Sequence, residues 1–140
     1  MKQLENKVAV VTGVGSGIGK AISLAFAKEG ASLGVGDIND SLLSKTNEEI
    51  QKDTQNVVAL KTDVSSEDQV KKLIDDTVNA YGKLDVIVNN VSVAIGGYPI
   101  TDMSNEDWQK ILAINFSSVF YGCKHSIPYL KKNNGGSIIN

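Results

Sequence analysis

Thr12-Gly13-Val14-Gly15-Ser16-Gly17-Ile18-Gly19 is the stretch that decides the fold of this chain. It follows an apolar run at residues 8–11 and precedes an amphipathic segment at 20–29, which is the order strand, glycine-rich turn, helix. Glycine lets backbone N–H groups approach a phosphate without a Cβ clash, and the helix N-terminus behind the turn carries partial positive charge. We therefore expect nucleotide phosphates to bind at Gly13, Ser16, Gly17, Ile18 and Gly19.

The bulk composition fits one globular domain, and we treat residues 1–140 as a single cofactor-binding domain. A net charge of −2 with interspersed charges speaks against nucleic-acid binding, which needs a basic patch. The first seven residues do not read as a signal peptide, and the longest uncharged run, 86–101, is too short and too polar for a membrane span. Cys123 is the one cysteine and His125 the one histidine, so we expect a cytoplasmic protein without a metal site.

Strands and helices alternate along the rest of the chain. Further strands are expected at residues 31–37, 57–64, 84–89 and 137–140. Helices are expected at 41–53, from a Ser66-Glu67-Asp68-Gln69 capping box to Gly82, and from Ser104 to before Asn133 with a distortion at Pro128. This alternation predicts an α/β fold with a doubly wound parallel sheet, Rossmann-like, in the strand order 3-2-1-4-5. A ligand would then bind where the strand order reverses, between the first and fourth strands.

Asp37 ends the expected second strand and indicates which cofactor binds. In doubly wound folds an acid near this place accepts hydrogen bonds from the ribose hydroxyls on the adenine side. The same carboxylate repels a 2′-phosphate. The neighbouring positions 14–16 and 38–39 hold no Lys or Arg that could attract that phosphate. We therefore expect NAD rather than NADP, with Asp37 and Ile38 among the cofactor-binding residues.

The spacing of the glycines leaves two classes of nucleotide-binding protein open. The common G-x-G-x-x-G fingerprint does not fit, because Ile18 or Lys20 occupies its sixth position. The pattern T-G-x-x-x-G-x-G does fit, with Gly13, Gly17 and Gly19, and it is the spacing of the short-chain dehydrogenase/reductase family. The G-x-G-x-G of methyltransferases that bind S-adenosylmethionine also matches, but Val11 stands where those enzymes carry an acid.

Over its whole length the chain resembles the short-chain dehydrogenase/reductase family. Four later segments carry the resemblance: Asp63-Val64, Asn89-Asn90-Val91-Ser92, the stretch around Asn115, and residues 135–140. The resemblance implies that Asp63 and Val64 border the adenine, that Asn90 lies towards the nicotinamide ribose, and that Asn115 is a catalytic residue. It also implies hydride transfer between the nicotinamide and the carbonyl or secondary alcohol of a small molecule, such as a 3-oxoacyl, steroid, sugar or simple alcohol substrate. The family commonly forms homo-dimers or tetramers through the long helix together with the next helix, which these 140 residues do not include.

Two departures from the family pattern limit these expectations. Val91-Ser92 stand where the family has Ala-Gly. The chain also ends at Asn140, before the place of the family's catalytic serine and Y-x-x-x-K motif. We therefore expect the N-terminal part of an enzyme, which binds cofactor but lacks the catalytic tyrosine and lysine. A non-catalytic dinucleotide-binding module is the alternative.

Asn115 has a second interpretation that does not depend on the family. At helical spacing it shares one stripe with four other side chains, namely Trp108, Leu112, Val119 and Cys123. A polar group buried in such a stripe must be hydrogen-bonded. A core asparagine that holds nearby backbone is therefore as well supported as a catalytic one.

Overall fold

The structure, a computed structural model, describes residues 2–140. Its strands are Val8–Thr12 (β1), Ser32–Asp37 (β2), Val57–Lys61 (β3), Val86–Val88 (β4) and Ser137–Ile139 (β5). Its α-helices are Gly17–Lys28 (α1), Asp40–Ile50 (α2), Glu67–Tyr81 (α3), Asn105–Leu112 (α4) and Ser118–Lys132 (α5). A 3-10 turn at Ile100–Asp102 precedes α4, and a π-helical turn at Ala113–Ser117 joins α4 to α5. None of the helices in residues 2–140 has the length and apolarity needed to cross a membrane.

The strands form one parallel sheet in the order β3-β2-β1-β4-β5. This confirms the predicted doubly wound α/β fold and its strand order. In the register, Val10 of β1 pairs with Gly34 of β2 on one side and with Ile87 of β4 on the other. The third strand ends at Lys61 rather than at residue 64, because its partner β2 ends at Asp37, which pairs with Lys61.

Helices cover both faces of the sheet, and each face has its own apolar core. Successive strand residues point to opposite faces, so Val11 and Val10 belong to different cores. Val11 packs with residues of α1, β2 and α2, among them Ala27, Leu33 and Leu43. Val10 packs on the other face with residues of α3, β4 and α5, among them Leu73, Ile87 and Leu130. The loops that follow β1, β2 and β4 therefore meet at one edge of a sheet that is held from both sides.

The predicted capping box at the start of α3 does not form. The Ser66 side chain makes no cap hydrogen bond. In a capping box, the Gln69 side chain would accept a hydrogen bond from the Ser66 backbone N–H. That N–H already donates to the Asp63 carbonyl oxygen at 3.1 Å. The Gln69 Oε1 atom instead accepts from the Asp63 N–H at 2.9 Å. The helix begins at the expected place, but its glutamine holds the loop after β3.

The expected long helix is interrupted earlier than predicted. Helix α5 runs through Pro128 to Lys132, and the irregular turn lies at Ala113–Ser117. A π-helical turn holds more residues than an α-helical one, so it shifts the faces of the residues on either side. Asn115 is consequently exposed and Trp108 is 47% exposed. The predicted buried stripe through Asn115 is therefore wrong.

Candidate functional site

A cleft of about 510 Å³ opens at the carboxyl ends of β1, β2 and β4, where the strand order reverses. Its lining includes every residue that the sequence marked as cofactor-binding except Gly19: Gly13, Ser16, Gly17, Ile18, Asp37, Ile38, Asp63, Val64 and Asn90. The structure adds residues that the sequence did not single out for this role: Thr62, Val91, Ser92, Val93 and Ile114. The glycine-rich turn, Asp37-Ile38, Asp63-Val64 and Asn90, which are far apart in the sequence, thus line the same cleft.

The glycine-rich turn presents the start of α1 to this cleft. Ser16 is the N-cap residue in extended conformation, and its side chain makes no cap hydrogen bond. Ser16, Gly17 and Ile18 are all exposed. The first N–H groups of a helix have no partner within the helix. An open cradle of backbone donors therefore lies at Gly17, which has a φ of 57° and no neighbouring atom within 4 Å of a built Cβ.

Gly19 lies behind the cleft and allows α1 to pack closely against the turn. A Cβ on Gly19 would lie 2.2 Å from the Gly13 carbonyl oxygen and 2.5 Å from Asn90 Nδ2. Asn90 Nδ2 donates to the carbonyl oxygens of Thr12, at 3.0 Å, and Gly13, at 3.3 Å. The Asn90 N–H donates to Thr12 Oγ1 at 3.1 Å, and that hydroxyl donates to the Val88 carbonyl oxygen at 3.3 Å. These contacts fix the ends of β1 and β4 against each other.

The Asp37 carboxylate is held by two backbone donors at the opposite side of the turn. Its Oδ2 atom accepts from the Gly15 N–H at 2.8 Å and its Oδ1 atom from the Asn39 N–H at 2.8 Å. Asp63 is the second acid in the lining, and its Oδ1 atom accepts from the backbone N–H and the hydroxyl of Ser65. The cleft lining within residues 2–140 contains these two acids and no Lys, Arg or His.

Asn115 holds the loop after β4 and does not line the cleft itself. Its Oδ1 atom accepts from the Val93 N–H and its Nδ2 atom donates to the Val93 carbonyl oxygen, both at 2.8 Å. One amide side chain thus satisfies both backbone groups of a residue in the cleft wall. The prediction of a core asparagine is wrong about burial, but its expected bond to nearby backbone is present.

His125 and Lys124 of α5 both contact Glu67 at the start of α3. His125 Nε2 lies 2.8 Å from Glu67 Oε1, and Lys124 Nζ donates to the same oxygen at 2.7 Å. The hydrogen bonds from Lys124 and then from His125 hold the pKa of Glu67 below its ordinary value. Within residues 2–140, no group of three or more His, Cys, Asp and Glu side chains is placed to hold a metal ion.

Residues 7–140 match the family model described as short chain dehydrogenase. The chain belongs to the short-chain dehydrogenase/reductase family. It is 35% identical over 138 residues to 3beta-hydroxysteroid dehydrogenase 2 of Eggerthella lenta, covering 98% of this chain and 53% of that protein. It is 36% identical over 138 residues to the 3-oxoacyl-(acyl-carrier-protein) reductase FabG of Thermotoga maritima, covering 99% and 56%. The chain thus spans about half the length of the curated relatives it matches.

Solved structures of short-chain dehydrogenases and reductases superpose closely on this chain. NAD+-bound xylitol dehydrogenase gives a TM-score of 0.92 at 30% identity, covering 98% of this chain and 53% of that one. Carveol dehydrogenase from Mycobacterium avium in complex with NAD gives 0.93 at 26% identity, covering 99% and 55%. The family uses nicotinamide cofactors, and both of these solved structures contain NAD.

The sequence alone did not identify three residues that shape the site: Thr12 and Gly15 within the glycine-rich motif, and Val93 outside it. Thr12 and Gly15 stand inside the quoted motif, so their part in fixing Asn90 and Asp37 could have been inferred from the motif itself. Val93 could not, because its place in the wall depends on a tertiary contact with Asn115.

Proposed function

We propose that this chain forms the cofactor-binding part of an NAD-dependent oxidoreductase that transfers a hydride between nicotinamide and a carbonyl or secondary alcohol. The observation that carries the proposal is the cleft in which the glycine turn, the start of α1 and the Asp37 carboxylate meet. The residues fit a dinucleotide, because open backbone donors at Gly17 suit a diphosphate and a fixed carboxylate suits a ribose. The cofactor would supply the hydride chemistry, and the chain would supply binding and orientation.

The proposed roles follow the cleft from one side of β1 to the other. Asp37 would accept hydrogen bonds from the adenine-side ribose. The adenine would lie among apolar and polar wall residues, namely Ile38, Asp63 and Val64. Backbone N–H groups at residues 16–19 would bind the pyrophosphate, and the Asn90 side would receive the nicotinamide half. Gly19 would act by allowing α1 to lie close to the turn, and Gly13 by allowing the turn to lie close to Asn90 and Val91.

NAD is preferred to NADP in this proposal because the charge in the cleft has one sign. A 2′-phosphate beside Asp37 would meet a carboxylate and no compensating cation in the lining. Unit charges of like sign ~4 Å apart repel by about 1 kcal/mol in water and about 4 kcal/mol at an effective dielectric constant near 20. Even the smaller figure favours the unphosphorylated cofactor about fivefold.

The activity of the whole protein also belongs to the proposal. We propose that Asn115 supports catalysis by positioning the Val93 loop, to which its side chain makes two hydrogen bonds. The cleft is compatible with a 3-oxoacyl, steroid, sugar or simple alcohol substrate. The exposed aromatic residues of α4 and α5 are compatible with a homo-oligomer. A reducing compartment, the cytoplasm, is proposed on the free thiol of Cys123.

Calorimetric titration of the 140-residue chain with NAD, NADP and S-adenosylmethionine tests the proposal. We expect NAD to bind, NADP to bind at least fivefold more weakly, and S-adenosylmethionine not to bind. Ser16→Glu should abolish NAD binding, because it places a carboxylate beside the phosphate cradle, whereas Ser44→Glu on the exposed side of α2 should not. A folded chain that ignores NAD, or that binds S-adenosylmethionine instead, overturns the proposal.

A further inference from the structure

Ser92 is an exposed residue of the cleft wall, in the loop that follows β4. Its hydroxyl takes part in none of the hydrogen bonds formed within residues 2–140. The non-glycine residues with positive φ in this part of the chain are Asn6 and Asn134, so Ser92 has an ordinary backbone conformation. The position therefore does not require the glycine of the family pattern, and the serine adds a polar group to the wall.

The backbone around Ser92 is fixed on both sides. Two residues earlier, Asn90 is tied to Thr12 and Gly13 by three hydrogen bonds of 3.0–3.3 Å. Directly after it, Val93 is tied through both backbone groups to Asn115 at 2.8 Å. A residue whose backbone is held on both sides loses little backbone freedom when its side chain binds a ligand. The backbone position of Ser92 is thus set before any ligand binds.

Asn90 cannot supply the donor that a sugar on this side of the cleft would need. Its Nδ2 group has two protons, and both are directed to the carbonyl oxygens of Thr12 and Gly13. The side-chain oxygen of Asn90 can accept a hydrogen bond, but the amide has no donor left. In this stretch of the wall, the free side-chain donor is therefore the Ser92 hydroxyl.

The other hydroxyls of the cleft do not compete for this part. Thr62 Oγ1 donates to the Leu60 carbonyl oxygen at 2.8 Å, and Ser16 lies at the glycine turn. Strand β4 stands beside β1 on the side away from β2, which carries Asp37. Ser92, in the loop after β4, therefore lies on the side of the cleft away from Asp37.

We propose that the Ser92 hydroxyl, which stands where the family pattern has glycine, hydrogen-bonds the ribose on the nicotinamide side of the cofactor. The inference rests on the proposed function, because it takes NAD as the ligand of the cleft. A ribose hydroxyl can both donate and accept, so Ser92 and the free Asn90 oxygen together would match a sugar diol.

Calorimetric titration of the 140-residue chain with NAD, ADP-ribose and ADP tests the inference, because these ligands differ in the groups beyond the pyrophosphate. Ser92→Ala and Ser92→Gly should each weaken NAD and ADP-ribose about two- to tenfold, as expected for one neutral hydrogen bond, and leave ADP unchanged. The glycine variant also restores the family residue, so an equal loss in both variants assigns the effect to the hydroxyl. Ser44→Ala, an exposed serine of α2 outside the cleft, is the matched control.

The outcomes separate this inference from the proposed function. If the wild-type chain binds NAD and the Ser92 variants bind NAD and ADP-ribose equally well, the inference is wrong and the proposed function stands. If the variants lose NAD affinity but keep ADP-ribose affinity, the ribose assignment is wrong. If the folded wild-type chain does not bind NAD, the proposed function fails and this inference fails with it.

Discussion

The Asp37 carboxylate accepts a 2.8 Å hydrogen bond from the Gly15 backbone N–H. A Cβ on Gly15 would lie 2.9 Å from the same carboxylate oxygen, so the close contact depends on glycine at this position. The end of β2 and the turn after β1 therefore form one unit. The turn proposed to hold the phosphates also orients the acid proposed to select the sugar.

Replacing that acid by its amide should relax cofactor selection. Asp37→Asn removes the charge and keeps one side-chain oxygen as an acceptor. We expect the ratio of NADP to NAD affinity to rise at least fivefold, because the repulsion of a 2′-phosphate by a carboxylate is worth about 1 kcal/mol or more. Calorimetric dissociation constants measure this ratio. Asp53→Asn, an exposed acid outside the cleft, is the control, and an unchanged ratio in Asp37→Asn would contradict the proposed selection.

Adding one methyl group at Gly19 should disrupt the site. Its Cβ would lie 2.2 Å from the Gly13 carbonyl oxygen, so α1 must move away from the turn. We expect Gly19→Ala to lower the free energy of unfolding by about 1–3 kcal/mol, the usual cost of overpacking, and to weaken NAD binding. Gly96→Ala is the control, because its added Cβ has nothing within 4 Å and its φ is not positive. Urea denaturation compares the two, and equal stabilities would show that the packing at Gly19 is looser than described.

The sequence predicts most of the fold because the pattern that defines it is local. Apolar runs bounded by glycine and polar turns mark each strand, and alternation with helices then leaves few topologies.

The two glycines of β2, unlike those in the turns, have a role that the local pattern does not predict. A Cβ on Gly34 would lie 1.9 Å from Thr77 Oγ1, and one on Gly36 would lie 2.7 Å from Leu73 Cδ2. They admit α3 close to the sheet, a tertiary reason that β2 alone does not reveal.

The residues of the candidate site also fall into two groups, those that the strand order places and those that depend on tertiary contacts. Asp37, Asp63 and the glycine turn are placed by the strand ends, so their convergence in one cleft follows from the strand order. The hydrogen bonds between Asn115 and Val93 depend on where a loop crosses a π-helical turn, and no spacing in the sequence marks that turn. Ordinary helical periodicity therefore assigned Asn115 to a buried face, and the assignment was wrong.

Asp85 should contribute a pH-dependent part of the stability. Burial raises the pKa of this carboxyl, but hydrogen bonds from Val8 N–H, Lys83, Asn133 and Lys7 outweigh burial and hold the pKa below its ordinary value of about 3.8. A carboxyl with a lowered folded-state pKa stabilises the fold fully above its ordinary value, and this stabilisation is lost as the pH falls through the folded-state value. The ionised Asp85 thus joins the start of β1 to the segment before β4.

Asp85→Asn should therefore cost stability at neutral pH and little in acid. We expect the free energy of unfolding at pH 7 to fall by about 1–3 kcal/mol, because charge-assisted hydrogen bonds are lost. The difference from wild type should begin to shrink as the pH falls below about 3.8, because Asp85 of the unfolded chain is protonated there, and it should be lost once the pH falls through the lower pKa of the folded state. Urea denaturation at a series of pH values measures both, with the exposed Asp102→Asn as control. A difference that is constant with pH would assign the loss to packing rather than to charge.

Removing the Asn115 side chain should loosen the loop after β4 without unfolding the domain. Asn115→Ala deletes both hydrogen bonds to Val93, and Asn115 is exposed, so no core contact is lost. We expect faster amide hydrogen exchange at Val93 and its neighbours and a several-fold weaker affinity for NAD. Asn115→Asp should be no better than alanine, because its carboxylate would face the Val93 carbonyl oxygen. Asn105→Ala, at the exposed start of α4, should leave exchange at Val93 unchanged, and protection that survives in Asn115→Ala would contradict this role.

The exposed aromatic residues of α4, the π-helical turn and α5 should drive self-association. Trp108, Phe116 and Phe120 are 47%, 73% and 56% exposed, and large exposed apolar groups on neighbouring helical turns are typical of interfaces. We expect light scattering at micromolar concentration to give a mass of at least two chains, and Phe120→Glu to reduce it towards one chain, because a buried unpaired carboxylate is costly. Ile100→Glu is the control, because it places the same charge on an exposed apolar residue that lies before α4 and is 75% exposed. We expect it to leave the mass unchanged, which separates an effect of the aromatic surface from a general effect of added charge. A wild-type mass of one chain, or equal masses for both variants, would contradict an interface at these helices.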